Sequence, residues 1–98
     1  MDRFTDQVAI VTGAATGIGY GIAERLLSEG GKVMMVDFDE SLALQSQKEL
    51  DPRTERVGLT IGDVAETNTA ATAVKRAMDT WGRIDILVNN AGIGRQNG

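Results

Sequence analysis

Three glycines, Gly13, Gly17 and Gly19, crowd the stretch VTGAATGIG from Val11 to Gly19, directly after an apolar run. Between a strand and a helix, glycines remove the Cβ atoms that would hold a ligand away from backbone N–H groups. They also permit the tight turn that aims the positive end of the helix at that ligand. The chemistry on offer is the binding of a phosphate or pyrophosphate. A carboxylate, Asp37, follows Gly19 by 18 residues, close to the spacing of roughly 20 in the dinucleotide fingerprint. At that place it can accept hydrogen bonds from the adenosine ribose hydroxyls and would repel a 2′-phosphate, which favours NAD over NADP. Thr16 before Gly17 and Phe38 after Asp37 offer no cation to such a phosphate. Two plainer uses stay open: an ordinary glycine turn, and Asp37 as a starter of the next helix, a task that Asp39 can also perform.

The elements that must position these residues are legible in the periodicity. Residues Gln7 to Thr12 form a nearly continuous apolar run, the pattern of a strand buried on both faces. Beyond the glycines, Ile18, Ile22 and Leu26 recur at four-residue intervals with Ala23 and Leu27 beside them, which predicts an amphipathic helix closed by Gly30 and Gly31. Lys32 to Phe38 reads as a second buried strand, and Asp39 to Leu50 as a second helix with Asp39 at its N-cap and Asp51-Pro52 after its end. Val57, Leu59 and Ile61 alternate as a third strand. Ala70, Val74, Ala77, Met78 and Trp81 predict one helical face ending at Gly82, and Ile84 to Asn89 predict a fourth strand. Such β-α-β-α-β-α-β alternation argues for a parallel sheet with crossover helices. No domain boundary, short repeat or low-complexity tract interrupts residues 1–98.

Composition narrows the chemistry. The 42% hydrophobic content suits a packed domain, and 14 acidic against 10 basic residues give a net charge of −4 without a basic cluster, which argues against a nucleic-acid partner. Ninety-eight residues bury a limited share of their surface, so thin stability is expected. With neither Cys nor His in these residues, disulfides, thiol nucleophiles, structural zinc and imidazole acid–base chemistry are excluded, and no metal ligand set is expected. The N-terminal MDRFTDQ lacks the hydrophobic region of a signal peptide and no apolar run is long enough to span a bilayer, so a cytoplasmic, membrane-free setting is expected.

Taken together, the motifs resemble those of the short-chain dehydrogenases/reductases. Thr12 to Gly19 match the family's TGxxxGIG loop, Asn89-Asn90-Ala91-Gly92 match its NNAG motif, and Asp63-Val64 look like its adenine-pocket pair. The likeness runs from Phe4 to about Gly94. Read alone, NNAG is also an ordinary turn at a strand end. The resemblance implies a Rossmann-like three-layer α/β/α fold with four parallel strands in the order 3-2-1-4, an incomplete doubly wound sheet. It implies residues 1–98 as the NAD-binding half of a domain. It further implies that Gly13, Thr16, Gly17, Ile18 and Gly19 surround the pyrophosphate, and that Asp37 and Phe38 stand at the adenine ribose. Asp63 and Val64 would contact the adenine, Asn90, Ala91 and Gly92 would pass beside the ribose, and Thr12 and Asn89 would tie the first strand to the fourth.

The family's chemistry requires a serine and a tyrosine with a lysine four residues later, a helical pair in which the ammonium lowers the phenol's pKa. The single tyrosine here, Tyr20, has Glu24 at that spacing, and no lysine is preceded four residues earlier by a tyrosine. Tyr20 is therefore expected to be a surface or packing residue, no residue is assigned to catalysis, and the 98 residues alone are expected to be inactive. A stand-alone nucleotide-binding or self-associating module is the alternative. Strand four would leave an open edge, so a homo-oligomer or other association through that edge is expected.

Overall fold

A computed structural model describes residues 3–90. Its elements are β1 (Val8–Thr12), α1 (Gly17–Ser28), β2 (Lys32–Asp37), α2 (Glu40–Leu50), β3 (Val57–Ile61), α3 (Thr67–Trp81) and β4 (Ile86–Val88). All pairings are parallel, and the strand order is β3-β2-β1-β4. This is the expected Rossmann-like architecture.

Alternation along the two central strands divides the core into layers. Ala9 and Val11 of β1 and Val33 and Met35 of β2 pack with Ala23, Leu26 and Leu27 of α1. Val8, Ile10, Met34 and Val36 point the other way, to Ala73 and Ala77 of α3. Apolar residues at every position of β1 and β2 are thus what a sheet covered on both faces requires.

Local punctuation fixes the helix ends. The α1 helix closes as a Schellman motif: Gly30, at φ 94°, donates to the Leu27 carbonyl and Gly31 to the Leu26 carbonyl. Arg56, in the bend just before β3, donates its guanidinium to the Leu27 and Gly31 carbonyls and so ties that helix end to the sheet. Asp39 caps α2 through its carboxylate, which accepts from the Leu42 N–H at 3.1 Å. Gly82, left-handed at φ 77°, ends α3.

Expectations about strand ends and helix faces are corrected. Strand β4 spans Ile86–Val88 rather than Ile84–Asn89, with side-chain hydrogen bonds to β1 at both of its ends and the Asp85 N–H donating to the Val8 carbonyl at 2.8 Å. Asp85 accepts from the Val8 N–H at 2.9 Å, and Thr12 Oγ1 lies 3.3 Å from both the Val88 carbonyl and Asn89 Oδ1. Strands β1 and β2 are each one residue shorter than expected, without Gln7 and Phe38. On the helices, Ile18 is 74% exposed and lies outside the buried face of α1. The inward face of α3 is Ala73 and Ala77 with half-buried Trp81, whereas Ala70, Val74 and Met78 are exposed. Small residues let α3 approach the sheet over β1 and β2, and its flank toward β4 has no second helix beside it among the described residues.

Candidate functional site

The carboxyl ends of β1, β2 and β3 open onto a cleft of about 220 Å³ lined by Gly13, Ala15, Thr16, Val36, Asp37, Phe38, Asp39, Leu42, Gly62 and Val64. In parallel α/β sheets this is where ligands bind. The volume is below the roughly 300–1,000 Å³ that encloses a whole drug-sized ligand, so the cleft fits one end of a dinucleotide.

Asp37, the last residue of β2, is the cleft's central polar group. Its Oδ2 accepts from the Ala15 N–H at 3.1 Å and its Oδ1 from the Asp39 N–H at 3.1 Å. One carboxylate thus joins the glycine loop to the entry of α2. Each oxygen retains a further lone pair for a donor in the cleft. Both roles considered for Asp37 are therefore geometrically available, since the helix cap itself is made by Asp39. The lining holds two carboxylates, Asp37 and Asp39, and no Lys or Arg.

The glycines divide by task. Gly19 is buried, and a Cβ there would stand 2.1 Å from the Gly13 carbonyl oxygen and 2.8 Å from Asn90 Nδ2. Its absence of a side chain lets the first turn of α1 lie against the loop. Gly17, at φ 62°, faces open space. A ligand can reach the backbone there without meeting a side chain. The N-cap of α1, Thr16, makes no side-chain cap bond.

Of the residues expected at the site, Gly13, Thr16, Asp37, Phe38 and Val64 line the cleft together. Gly17 and exposed Ile18 begin α1 next to Thr16. Asp63 lies just past β3, where its Oδ1 accepts from the Ala65 N–H at 2.9 Å in the turn that leads to α3. Asn90 donates from Nδ2 to the Gly13 carbonyl at 3.3 Å, bracing the loop from the end of β4. Ala91 and Gly92 lie outside the described residues. Sequence reasoning missed Ala15, Val36, Asp39, Leu42 and Gly62. Leu42 carried a signal, an apolar residue in the first turn of the helix after β2; Ala15 takes part through its backbone, which leaves none.

Tyr20 of α1 is not among the cleft-lining residues, and its hydroxyl is 3.2 Å from Glu49 Oε1 of α2. Burial, and then the hydrogen bond and charge of Glu49, raise its phenol above the ordinary value of 10. That is the reverse of what a proton-donating tyrosine needs.

The sheet order and the glycine-rich β1–α1 turn place the chain among the Rossmann-like doubly wound α/β proteins. The sequence model of the short chain dehydrogenases matches residues 7–98, and the chain belongs to that family of oxidoreductases, which use nicotinamide dinucleotides. Among curated relatives, galactitol 2-dehydrogenase of Agrobacterium fabrum is 42% identical over 92 residues, covering 93% of this chain and 34% of the relative. L-sorbose reductase from Gluconobacter frateurii, solved with NADPH and L-sorbose, superposes with a TM-score of 0.85 at 33% identity, over 94% of this chain and 36% of that one. The 3-ketoacyl-(acyl-carrier-protein) reductase from Brucella melitensis, solved with NADH, gives 0.78 at 31% identity, over 86% of this chain and 33% of that one. The chain thus spans about a third of the length of the relatives it matches. No helix among the described residues is long and apolar enough to cross a membrane.

Proposed function

We propose that residues 1–98 are the NAD-binding half of a short-chain dehydrogenase/reductase, a protein that moves hydride between the nicotinamide and an alcohol or ketone. The observation that carries the reading is the Asp37 carboxylate, held by two backbone N–H groups at the mouth of a cation-free cleft. Asp37 would accept the hydroxyls of the adenine ribose, with Phe38 beside it. Val64 and Asp63 would flank the adenine. The open backbone of Gly13, Thr16, Gly17, Ile18 and Gly19 would receive the pyrophosphate, with Asn90, and after it Ala91 and Gly92, passing the ribose on the other side. The fit is supported by the cradle at Gly17, which meets nothing within 4 Å. The cofactor, when bound, supplies the hydride acceptor or donor. These residues bind and orient, and none of them is placed to move the substrate's proton, so the 98-residue chain binds without turnover.

Preference for NAD over NADP follows from charge: a 2′-phosphate would meet Asp37 and Asp39 with no compensating cation in the lining. The test is a calorimetric titration of the chain with NAD and, as control, NADP. Saturable NAD binding that is weaker with NADP is expected. Equal or tighter NADP binding would overturn the preference, and no binding of either would overturn the site.

A second reading rests on the β4 edge. Leu87 is 68% exposed there, and Val74 and Met78 of α3 stand exposed on the same side of the sheet. Unpaired strand edges and apolar patches of this kind favour association, here with a second copy of the chain.

A further inference from the structure

Ser46 occupies the middle of α2, a position where serine is neutral to unfavourable for a helix. Its side chain reaches outside its own helix. It is 4% exposed, and its hydroxyl donates to the carbonyl of Ala15, 31 residues earlier in the glycine loop, at 2.6 Å. Nothing in α2 itself accounts for a buried hydroxyl at this position.

The partner of that bond is the residue whose N–H is held by Asp37. The two peptide groups on either side of the Ala15 Cα are therefore gripped from different elements, one by the end of β2 and the other by α2. Holding both fixes the φ and ψ of Ala15, which is itself buried. It also fixes the plane of the Asp37 carboxylate, whose second oxygen is occupied by the Asp39 N–H. While Ala15 N–H points at Asp37, it is not free to donate to a phosphate.

We propose that Ser46 is a positioning residue for the cofactor site: by holding the Ala15 carbonyl it keeps the Ala15 N–H on Asp37, and so sets the preference for a ribose with free hydroxyls over one with a 2′-phosphate. The inference rests on reading the cleft as the adenosine end of a dinucleotide site. Without the hydroxyl the loop can turn its N–H away from Asp37, which weakens the hold on NAD and gives a 2′-phosphate a donor.

The test titrates the chain, Ser46→Ala and Ala43→Gly with NAD and with NADP. Ala43 is fully buried on the same helix and outside the cleft lining, so Ala43→Gly loosens α2 without touching the Ala15 carbonyl. Ser46→Ala is expected to weaken NAD about three- to tenfold, the worth of one hydrogen bond, and to narrow the ratio of NADP to NAD dissociation constants. Ala43→Gly is expected to lower the melting temperature and leave that ratio alone. An unchanged ratio in Ser46→Ala, or an equal change in Ala43→Gly, would overturn the proposal. Ser46→Cys keeps the volume with a weaker donor and is read by the same ratio if the alanine variant does not fold. Should the wild-type chain bind neither nucleotide, the cofactor reading fails, and the clamp is judged by amide hydrogen exchange at Ala15. Faster exchange in Ser46→Ala than in Ala43→Gly then supports it, and equal exchange overturns it.

Discussion

Oδ2 of Asp37 lies 3.1 Å from the backbone nitrogen of Ala15, a bond across 22 residues that fastens the end of β2 to the loop following β1. The same carboxylate is proposed to meet the ribose, so its structural and its binding roles can be separated by chemistry. Asp37→Asn keeps an oxygen for the Ala15 N–H and removes the charge. NAD affinity is expected to fall on the order of 10- to 100-fold, the loss of charge-assisted hydrogen bonds worth about 1.5–3 kcal/mol. NADP affinity should fall less or rise. Parallel titrations check this, and an unaltered NAD affinity would remove Asp37 from the site.

Gly19 and Gly21 share a helix and predict opposite outcomes. A Cβ at Gly19 meets the Gly13 carbonyl oxygen at 2.1 Å, a backbone atom that cannot swing aside. Gly19→Ala should destabilise by about 2 kcal/mol or more. Gly21 is exposed inside α1 with nothing within 4 Å, so Gly21→Ala should stabilise by about 0.5–1 kcal/mol. Thermal or urea unfolding of the two variants checks both signs, and equal effects would contradict the packing described.

Acid stability should depend on Asp85. The hydrogen bond from Arg83 first, and the Val8 N–H second, hold its carboxyl below the ordinary aspartate value. A carboxyl lowered in the native state binds its proton less readily there than in the unfolded chain. Its contribution is therefore complete above the ordinary aspartate range, and is lost as the pH falls through that range to the lower native value. Asp85→Asn should flatten this acid limb of the stability curve. Glu29, lowered chiefly by its bond to Arg25, should keep the rest of it. Unfolding measured against pH at low salt tests this, and an identical acid limb in the variant would reject it.

Association through the β4 edge should respond to charge. Leu87→Lys places an ammonium on the most exposed apolar residue of that strand. Sedimentation velocity across a range of concentrations should show larger species for the wild-type chain and a shift toward monomer for the variant. A wild-type chain that stays monomeric throughout would dismiss this reading.

Much of the fold was legible because its signals are local. Apolar runs marked β1 and β2, alternation marked β3, and Asp39 and Gly82 announced helix ends through chemistry confined to a few neighbouring residues. Periodicity says which residues share a helix face, yet not what stands opposite. Val74 and Met78 share the predicted face with Ala77, yet only Ala77 is buried and both of the others are exposed. The ends of β4 are not legible locally, since there the contacts to β1 also pass through the side chains of Asp85, Thr12 and Asn89 across 76 or more residues. At the candidate site, Gly13, Thr16, Asp37, Phe38 and Val64, named from spacing and from the family resemblance, line one cleft. Ser46 was not, since a serine within a helix gives no sign of the carbonyl it will reach.

The central strand β1 acquires its two neighbours on very different terms. Ala9 pairs with Val33, 24 positions along the chain, and with Ile86, 77 positions along. Closing the longer loop costs about 1 kcal/mol more chain entropy, for a ladder of three residue pairs instead of five. Assembly should accordingly run from β1, β2 and β3 to β4, and pulse-labelled exchange should show the Ile86–Val88 amides protected last. Asn90 reaches Gly13 only when that strand has docked, so the brace on the glycine loop is the final piece set in place as the chain folds.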